Sequence, residues 1–344
     1  MAYYDNYYEA RQHLNLSQVA YDIIDHDRYI FLEKPSFAKM LNRVFATYRD
    51  YADASISLAC ENYEAFLKNQ LLDLQESAEK IAVISTLLLA HKQALIQKAH
   101  ASPRGVSFKF QLDRENYAFI SEWKDSEDVY DGIAGRYIKA VVEEYARKPL
   151  VLRESIVFRE LIETINESIA TQHLLIITLN SGKRYEVKPF CVCTDQGYNY
   201  HYLAGFSKSS GTNFDVRPVS FRISNIQRCK KTGKSGHLTD AQKKDITEKI
   251  RTVGVQFLLQ DPETIKIKLS KRGKAMYDSQ AHLRPDFIRR SESLDGTWVY
   301  EFICTQIQAR FYFFKFGAEA EVILPPSLRE EFKQLYSNAL ELYK

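Results

Sequence analysis

No stretch of this 344-residue chain is long and apolar enough to cross a bilayer. The most hydrophobic run, residues 81–90, is about half of the roughly 20 residues that a spanning helix needs, and Lys80, His91 and Lys92 flank it. The first nine residues are acidic and tyrosine-rich, without the basic and then apolar order of a secretory signal, so a cytoplasmic protein is expected. Cysteine is scarce. Five thiols, widely scattered, exclude a disulfide framework and agree with a reducing compartment. Cys191 and Cys193 form one Cys-x-Cys, and zinc would need two further ligands at credible spacing, for which only Cys229 and His201 are candidates. Inert thiols and no metal are the expectation.

Catalytic signatures are missing too. There is no Gly-rich phosphate loop, no Gly-x-Ser-x-Gly elbow and no His-Glu-x-x-His, so neither an enzyme nor a cofactor is expected. His26 lies between Asp25 and Asp27, which invites comparison with a nuclease site. Adjacent residues on a helix point in different directions, however, and the triplet reads as a hydrophilic helix end.

What is present is an ordinary globular composition, 45% hydrophobic and 26% charged, in a chain long enough for two or three domains. The net charge of +3 is mild, so an anionic partner must meet a local patch. The N-terminal third holds an internal repeat. Residues 11–17 alternate as a strand with Leu14 and Leu16 on one face and His13 and Asn15 on the other; Ser17 caps a helix through Val19, Ile23 and Ile24, Pro35 breaks the chain, and Ser36 caps a second helix. About ninety-five residues later the order returns. Residues 106–112 alternate with Phe108, Phe110 and Leu112 against Ser107, Lys109 and Gln111, Asp113 caps a helix, and Ile133, Tyr137, Ile138 and Val141 mark another.

Between the copies, residues 55–99 are rich in leucine, alanine, glutamate and lysine and predict long helix, a spacer or a dimer surface. Residues 151–169 predict one amphipathic helix. Strands are then expected over 174–179, 185–192, 200–206 and 219–223, the spacing of a small barrel. A basic linker, a helix over 240–259, a strand at 265–269, a further helix, two strands around Asp295-Gly296 and a final helix from Ser327 complete an α+β ending. The expected organisation is a ribbon-helix-helix-like segment (1–54), a helical spacer (55–104), a second such segment (105–150), a barrel domain with a leading helix (151–239) and a C-terminal α+β extension (240–344).

Electrostatics single out residues 216–239, where Arg217, Arg222, Arg228, Lys230, Lys231 and Lys234 stand without one acidic residue, beside Tyr198, Tyr200, Tyr202, Phe214 and Phe221. Cations interleaved with rings suit a single-stranded nucleic acid, since phosphates take the charges and exposed bases stack on the rings. An antiparallel ribbon offering His13, Asn15, Lys109 and Gln111 suits the major groove of a duplex instead. Lys266, Lys268, Lys271, Arg272 and Lys274 read as a solvated face.

Four blocks in order, Arg184-Tyr185-Glu186-Val187-Lys188-Pro189, Tyr200-His201-Tyr202-Leu203-Ala204-Gly205, Ser220-Phe221-Arg222-Ile223 and the helical region behind them, resemble a WYL domain, a family built on an Sm-like barrel. The stretch from Tyr312 to Gly317 and on through Pro326 resembles the extension that follows such barrels. His201 stands where the family name has tryptophan, and Asn225 where many members carry a second arginine. With ribbon-helix-helix-like segments in front, the whole chain resembles the accessory WYL proteins of type VI-D CRISPR systems. That resemblance implies a homodimer that binds single-stranded RNA and modulates an RNA-targeting effector, with Tyr202 and Arg222 the positions that carry ligand sensing over from the family; Arg184, Tyr200 and His201 of the same blocks are further candidate nucleic-acid-binding residues. WYL transcription regulators share the parts, which leaves a DNA-binding regulator as the alternative and a protein scaffold built on the long helix as a third.

Overall fold

The computed structural model describes residues 10–70, 78–100, 105–125, 130–195, 197, 199–209, 218–281 and 283–344. The chain forms two compact units, Met1–Arg159 and Glu160–Lys344.

In the first unit, β1 (Arg11–Ser17) and β2 (Gly105–Gln111) pair antiparallel over their full length, from Arg11 opposite Gln111 to Ser17 opposite Gly105. The two copies of the repeat therefore make their ribbon within one chain. Alternation decides its faces: Leu14, Leu16 and Phe110 are buried, while His13, Asn15 and Lys109 are exposed. Helices α1 (Gln18–Phe31), α2 (Phe37–Gln70), α3 (Ala78–His100), α4 (Arg114–Glu122), α5 (Ala134–Ala146) and α6 (Leu150–Val157) make up the rest of the unit. Ile24, Met40, Leu41, Val44, Phe45, Ile138 and Val142 form the core that α1, α2 and α5 share.

Polar groups fix the repeat's joints. The Ser17 hydroxyl accepts from the Ala20 amide at 3.1 Å and donates to the Glu143 carboxylate of α5 at 2.8 Å, so the cap of α1 is itself anchored. Asp113 caps α4 through the Asn116 amide at 2.9 Å. Buried Asn42 of α2 donates to the Gln111 carbonyl and accepts from the Asp113 amide, both at 2.9 Å, pairing backbone groups that the strand end would otherwise leave unmet.

Three helical expectations change. The helix expected over 240–259 ends at Val253, before Gly254 at φ 84°. Helix α2 runs unbroken through position 54, where a separate spacer was expected to start, because no glycine, proline or cap interrupts residues 37–70. The single helix expected over 151–169 is two, α6 and then α7 (Arg159–Ala170), parted at Phe158, whose backbone leaves the helical region. The Phe158 ring is buried against Phe31, centroids 5.8 Å apart, with the Arg43 guanidinium 4.7 Å from its centre. That anchoring ties α6 to the first unit.

In the second unit α7 precedes β3 (His173–Leu179), β4 (Arg184–Thr194), β5 (His201–Ser209), β6 (Val219–Arg222) and β7 (Ile226–Ser235), an antiparallel sheet in the order β6-β5-β4-β3-β7. The expected basic linker is largely strand β7. Among the described residues no ladder joins β6 to β7, so hydrogen bonding leaves the sheet open where a closed Sm-like barrel was expected. It is nevertheless strongly curled: the rings of Tyr185 (β4) and Phe221 (β6) lie 5.1 Å apart although β5 runs between them, where flat strands two apart stand about 10 Å from one another.

Helix α8 (Asp240–Val253) starts with a capping box of Thr239 and Gln242. Beyond it, β8 (Glu263–Leu269), β9 (Phe287–Glu292), β10 (Trp298–Cys304) and β11 (Ala320–Leu324) form a second antiparallel sheet, in the order β11-β8-β10-β9. Its core face, with Ile265, Ile267, Tyr300 and Phe302, packs with Tyr277 of α9 (Lys271–Ser279), Tyr312 and Phe313 of α10 (Gln306–Phe313) and Leu328 and Phe332 of α11 (Pro326–Glu341). Gly317 turns the chain from α10 into β11 at φ 58°, a conformation that favours glycine.

Candidate nucleic-acid interface

On the ribbon, cross-strand register sets Arg11 opposite Gln111, His13 opposite Lys109 and Asn15 opposite Ser107. These residues form one polar face, and Arg11 joins the four expected here. Its place two residues before His13 in an alternating strand was the signal for it. The Asn15 side chain lies across Gly105, where a Cβ would collide with its amide oxygen.

In the curled sheet the ladders sort the expected residues onto two faces. Thr178 of β3 stands opposite both Arg184 of β4 and Arg228 of β7, and Ile176 opposite both Glu186 and Lys230. Arg184, Arg228 and Lys230 are thus neighbours on one exposed face. Among the described residues none of the three is ion-paired. Glu186, the carboxylate among them, is engaged by Lys208 across the ladder at 3.0 Å. The Lys208 ammonium, with help from Lys234 and Arg184, holds the Glu186 carboxyl below the usual carboxylate range. The face therefore carries unneutralised positive charge.

Lys231 does not join it. It pairs opposite Leu175 on the inner face and forms an ion pair with Glu167 of α7. His201, opposite Thr194, turns inward with Leu203, while Tyr202 lies on the outer face opposite Arg222 and Cys193. Arg217, Tyr198 and Phe214 lie outside the described residues.

The tyrosines are not open platforms. The Arg222 guanidinium carbon sits 3.4 Å from the centre of the Tyr200 ring, a stack that covers that face. Tyr202 packs with Cys191, Cys193 and Phe190 against Ala204, Phe206, Leu238 and Ile246, beneath α8. Phe221 is taken by Tyr185. Sequence alone could not separate rings that fill space from rings that wait for a base, because both occur at period two.

The thiols of Cys191 and Cys193 are 3.8 Å apart. The Cys191 thiol donates to Cys193, which pushes the Cys193 thiol down and its own up. Among the described residues no cluster of three or more His, Cys, Asp or Glu could hold a metal. Asp27 is not part of a hydrophilic helix end: fully buried, it accepts from Arg153 at 2.7 and 3.1 Å and from the Tyr145 hydroxyl at 2.6 Å. Among the described residues, no helix is long and apolar enough to cross a membrane.

No protein-family model matches the chain. No curated protein sequence matches it either. Among solved structures it is similar to a CRISPR Cas-related protein, with TM-score 0.71 and 24% identity over 97% of this chain and 94% of that one. A proteasome accessory factor B/C (PafBC) of Arthrobacter aurescens aligns with 69% of this chain and 37% of its own at 12% identity and TM-score 0.28. The first likeness spans nearly the whole of both chains, so the CRISPR Cas-related protein shares this fold from end to end.

Proposed function

We propose that this protein binds single-stranded RNA without transforming it, as a WYL-type homodimeric accessory of an RNA-targeting CRISPR effector. The observation that carries the reading is the Arg184, Arg228 and Lys230 group, three cations on one exposed sheet face with no ion pair among the described residues. Arg184 and Arg228 lie on strands two apart, about 10 Å between backbones, and their long side chains reach separate phosphates of one strand. Binding of this kind releases counterions and weakens steeply with salt. The likeness to a CRISPR Cas-related protein supports the cellular setting. With Asp27 engaged by Arg153, the triplet that had suggested hydrolysis has a structural role instead.

The ribbon supports a second reading, a regulator that reads duplex DNA, because Arg11, His13, Asn15, Ser107, Lys109 and Gln111 form one polar row of the width that enters a major groove. Fluorescence anisotropy with a labelled single-stranded RNA, competed by duplex DNA at two salt concentrations, separates the two. The accessory reading expects RNA to survive excess duplex; displacement by the duplex makes the ribbon the site.

A further inference from the structure

Holding single strands takes open rings as well as cations, and the described rings on the β3–β7 sheet are occupied by Arg222, by the α8 core and by Tyr185. A different ring with cations around it lies in the second sheet. Trp298 opens β10 and is only half-buried, resting against the core. The Lys274 ammonium of α9 is 5.5 Å from its ring centre and the Arg290 guanidinium of β9 is 5.7 Å. Both distances lie near the outer limit of a cation–π contact, about 6 Å. The Trp298 ring is therefore far less tightly covered than Tyr200, whose arginine sits at 3.4 Å.

Position keeps the ring accessible. Strand β9 is the edge of its sheet, and all six of its residues are exposed. Arg290 stands opposite Tyr300, hence on the same face as Trp298, and Lys271 and Arg272 are exposed in the first turn of α9. The cations expected to form a solvated face divide in two. Lys266, Lys268 and Lys274 are ion-paired with Glu301, Asp295 and Asp278, while among the described residues Lys271 and Arg272 are not ion-paired, and neither is Arg290 of β9. Exposed Glu292 stands directly across from Trp298 on β9. Two cations, Lys274 and Arg290, therefore lie beside one ring, and of the two only Lys274 is held by a carboxylate, Asp278.

We propose that Trp298, with Arg290 and Lys274 beside it, is a second contact for single-stranded RNA, a base-stacking platform separate from the Arg184, Arg228 and Lys230 face. This inference rests on the RNA-binding reading above.

The sequence has two tryptophans, so Trp123→Phe leaves Trp298 as the only emitter, and phenylalanine keeps a ring where Trp123 stacks on Tyr137. The full chain is titrated with a 20-nucleotide oligouridylate while tryptophan emission and the anisotropy of a labelled copy are followed together. The expected result is saturable quenching over the same concentrations as the anisotropy rise, absent in Trp298→Phe. Exposed Arg290→Ala should weaken binding about five-fold and lower the salt slope. If Trp123→Phe fails to fold, the wild-type signal minus that of Trp298→Phe gives the same readout. Anisotropy that rises with Trp298 emission unchanged and Arg290→Ala without effect overturns the platform and leaves the RNA-binding reading standing. No anisotropy change at all overturns both, and equal quenching by polyglutamate overturns the nucleic-acid assignment of the platform.

Discussion

Asp27 and Arg153, separated by 126 residues, form a buried two-point ion pair at 2.7 and 3.1 Å that ties α6 to α1. Tyr145 donates to the same carboxylate, and its hydroxyl is pushed well above the usual tyrosine range by burial and by the Asp27 charge.

Removing one side of such a pair strands a charge in the core. Arg153→Ala should cost about 3–5 kcal/mol in urea unfolding. The joint replacement Asp27→Leu with Arg153→Met should recover part of that loss, since well-packed apolar pairs often match buried ion pairs. Equal losses in the single and joint variants would show that the pair itself is not the source.

Legibility in the sequence follows from this kind of distance. The ribbon could be read because β1 and β2 each bury one face, so period two is written in their residues, and Ser17 and Asp113 announce the helices behind them. Strand β7 was hidden: its outer positions are Arg228 and Lys230, and its inward side shows little more than Ile226 and Cys229. The grouping of Arg184 with Arg228 exists only through Thr178, which pairs with both, and no local pattern encodes that register. Likewise nothing near Asp27 points to Arg153.

Asp53 accepts from the Tyr137 hydroxyl at 2.7 Å, and burial raises its carboxyl above the usual carboxylate range. A raised carboxyl favours the folded state fully below its unfolded value and loses that contribution as pH climbs through the folded one. Asp53→Asn, which keeps an acceptor for Tyr137, should therefore have a urea midpoint at neutral pH equal to or above wild type. That advantage should vanish toward pH 4 and below. A variant equally weakened at every pH would point to lost hydrogen bonding instead.

Burial pushes the thiols of Cys229 and Cys304 up to about 12, while the hydrogen bond from Cys191 lowers that of Cys193. Iodoacetamide at mildly alkaline pH should therefore label Cys193 before Cys191, Cys229 or Cys304, as read by peptide mass spectrometry. Cys229 reacting first would contradict the burial order.

Gly205 pairs opposite Pro189 at the bulge in β4, and a Cβ there would drive into the Lys188 carbonyl oxygen, which belongs to the backbone and cannot swing aside. Gly205→Ala should cost about 1–3 kcal/mol in thermal or urea unfolding. A neutral result would mean that the bulge can relax.

The central claim is that single strands are held by the exposed β3–β4–β7 face. Its most direct test is the salt dependence of RNA affinity in two variants, Arg184→Ala with Arg228→Ala and Lys230→Ala, and Arg11→Ala with His13→Ala and Lys109→Ala. Each lost phosphate contact should reduce the slope of log affinity against log salt by about 0.7 on a single strand. The account predicts a slope reduced by about 2 and a large loss of affinity in the sheet variant, with the ribbon variant close to wild type. A ribbon variant that loses as much or more, beside an unaffected sheet variant, would contradict it.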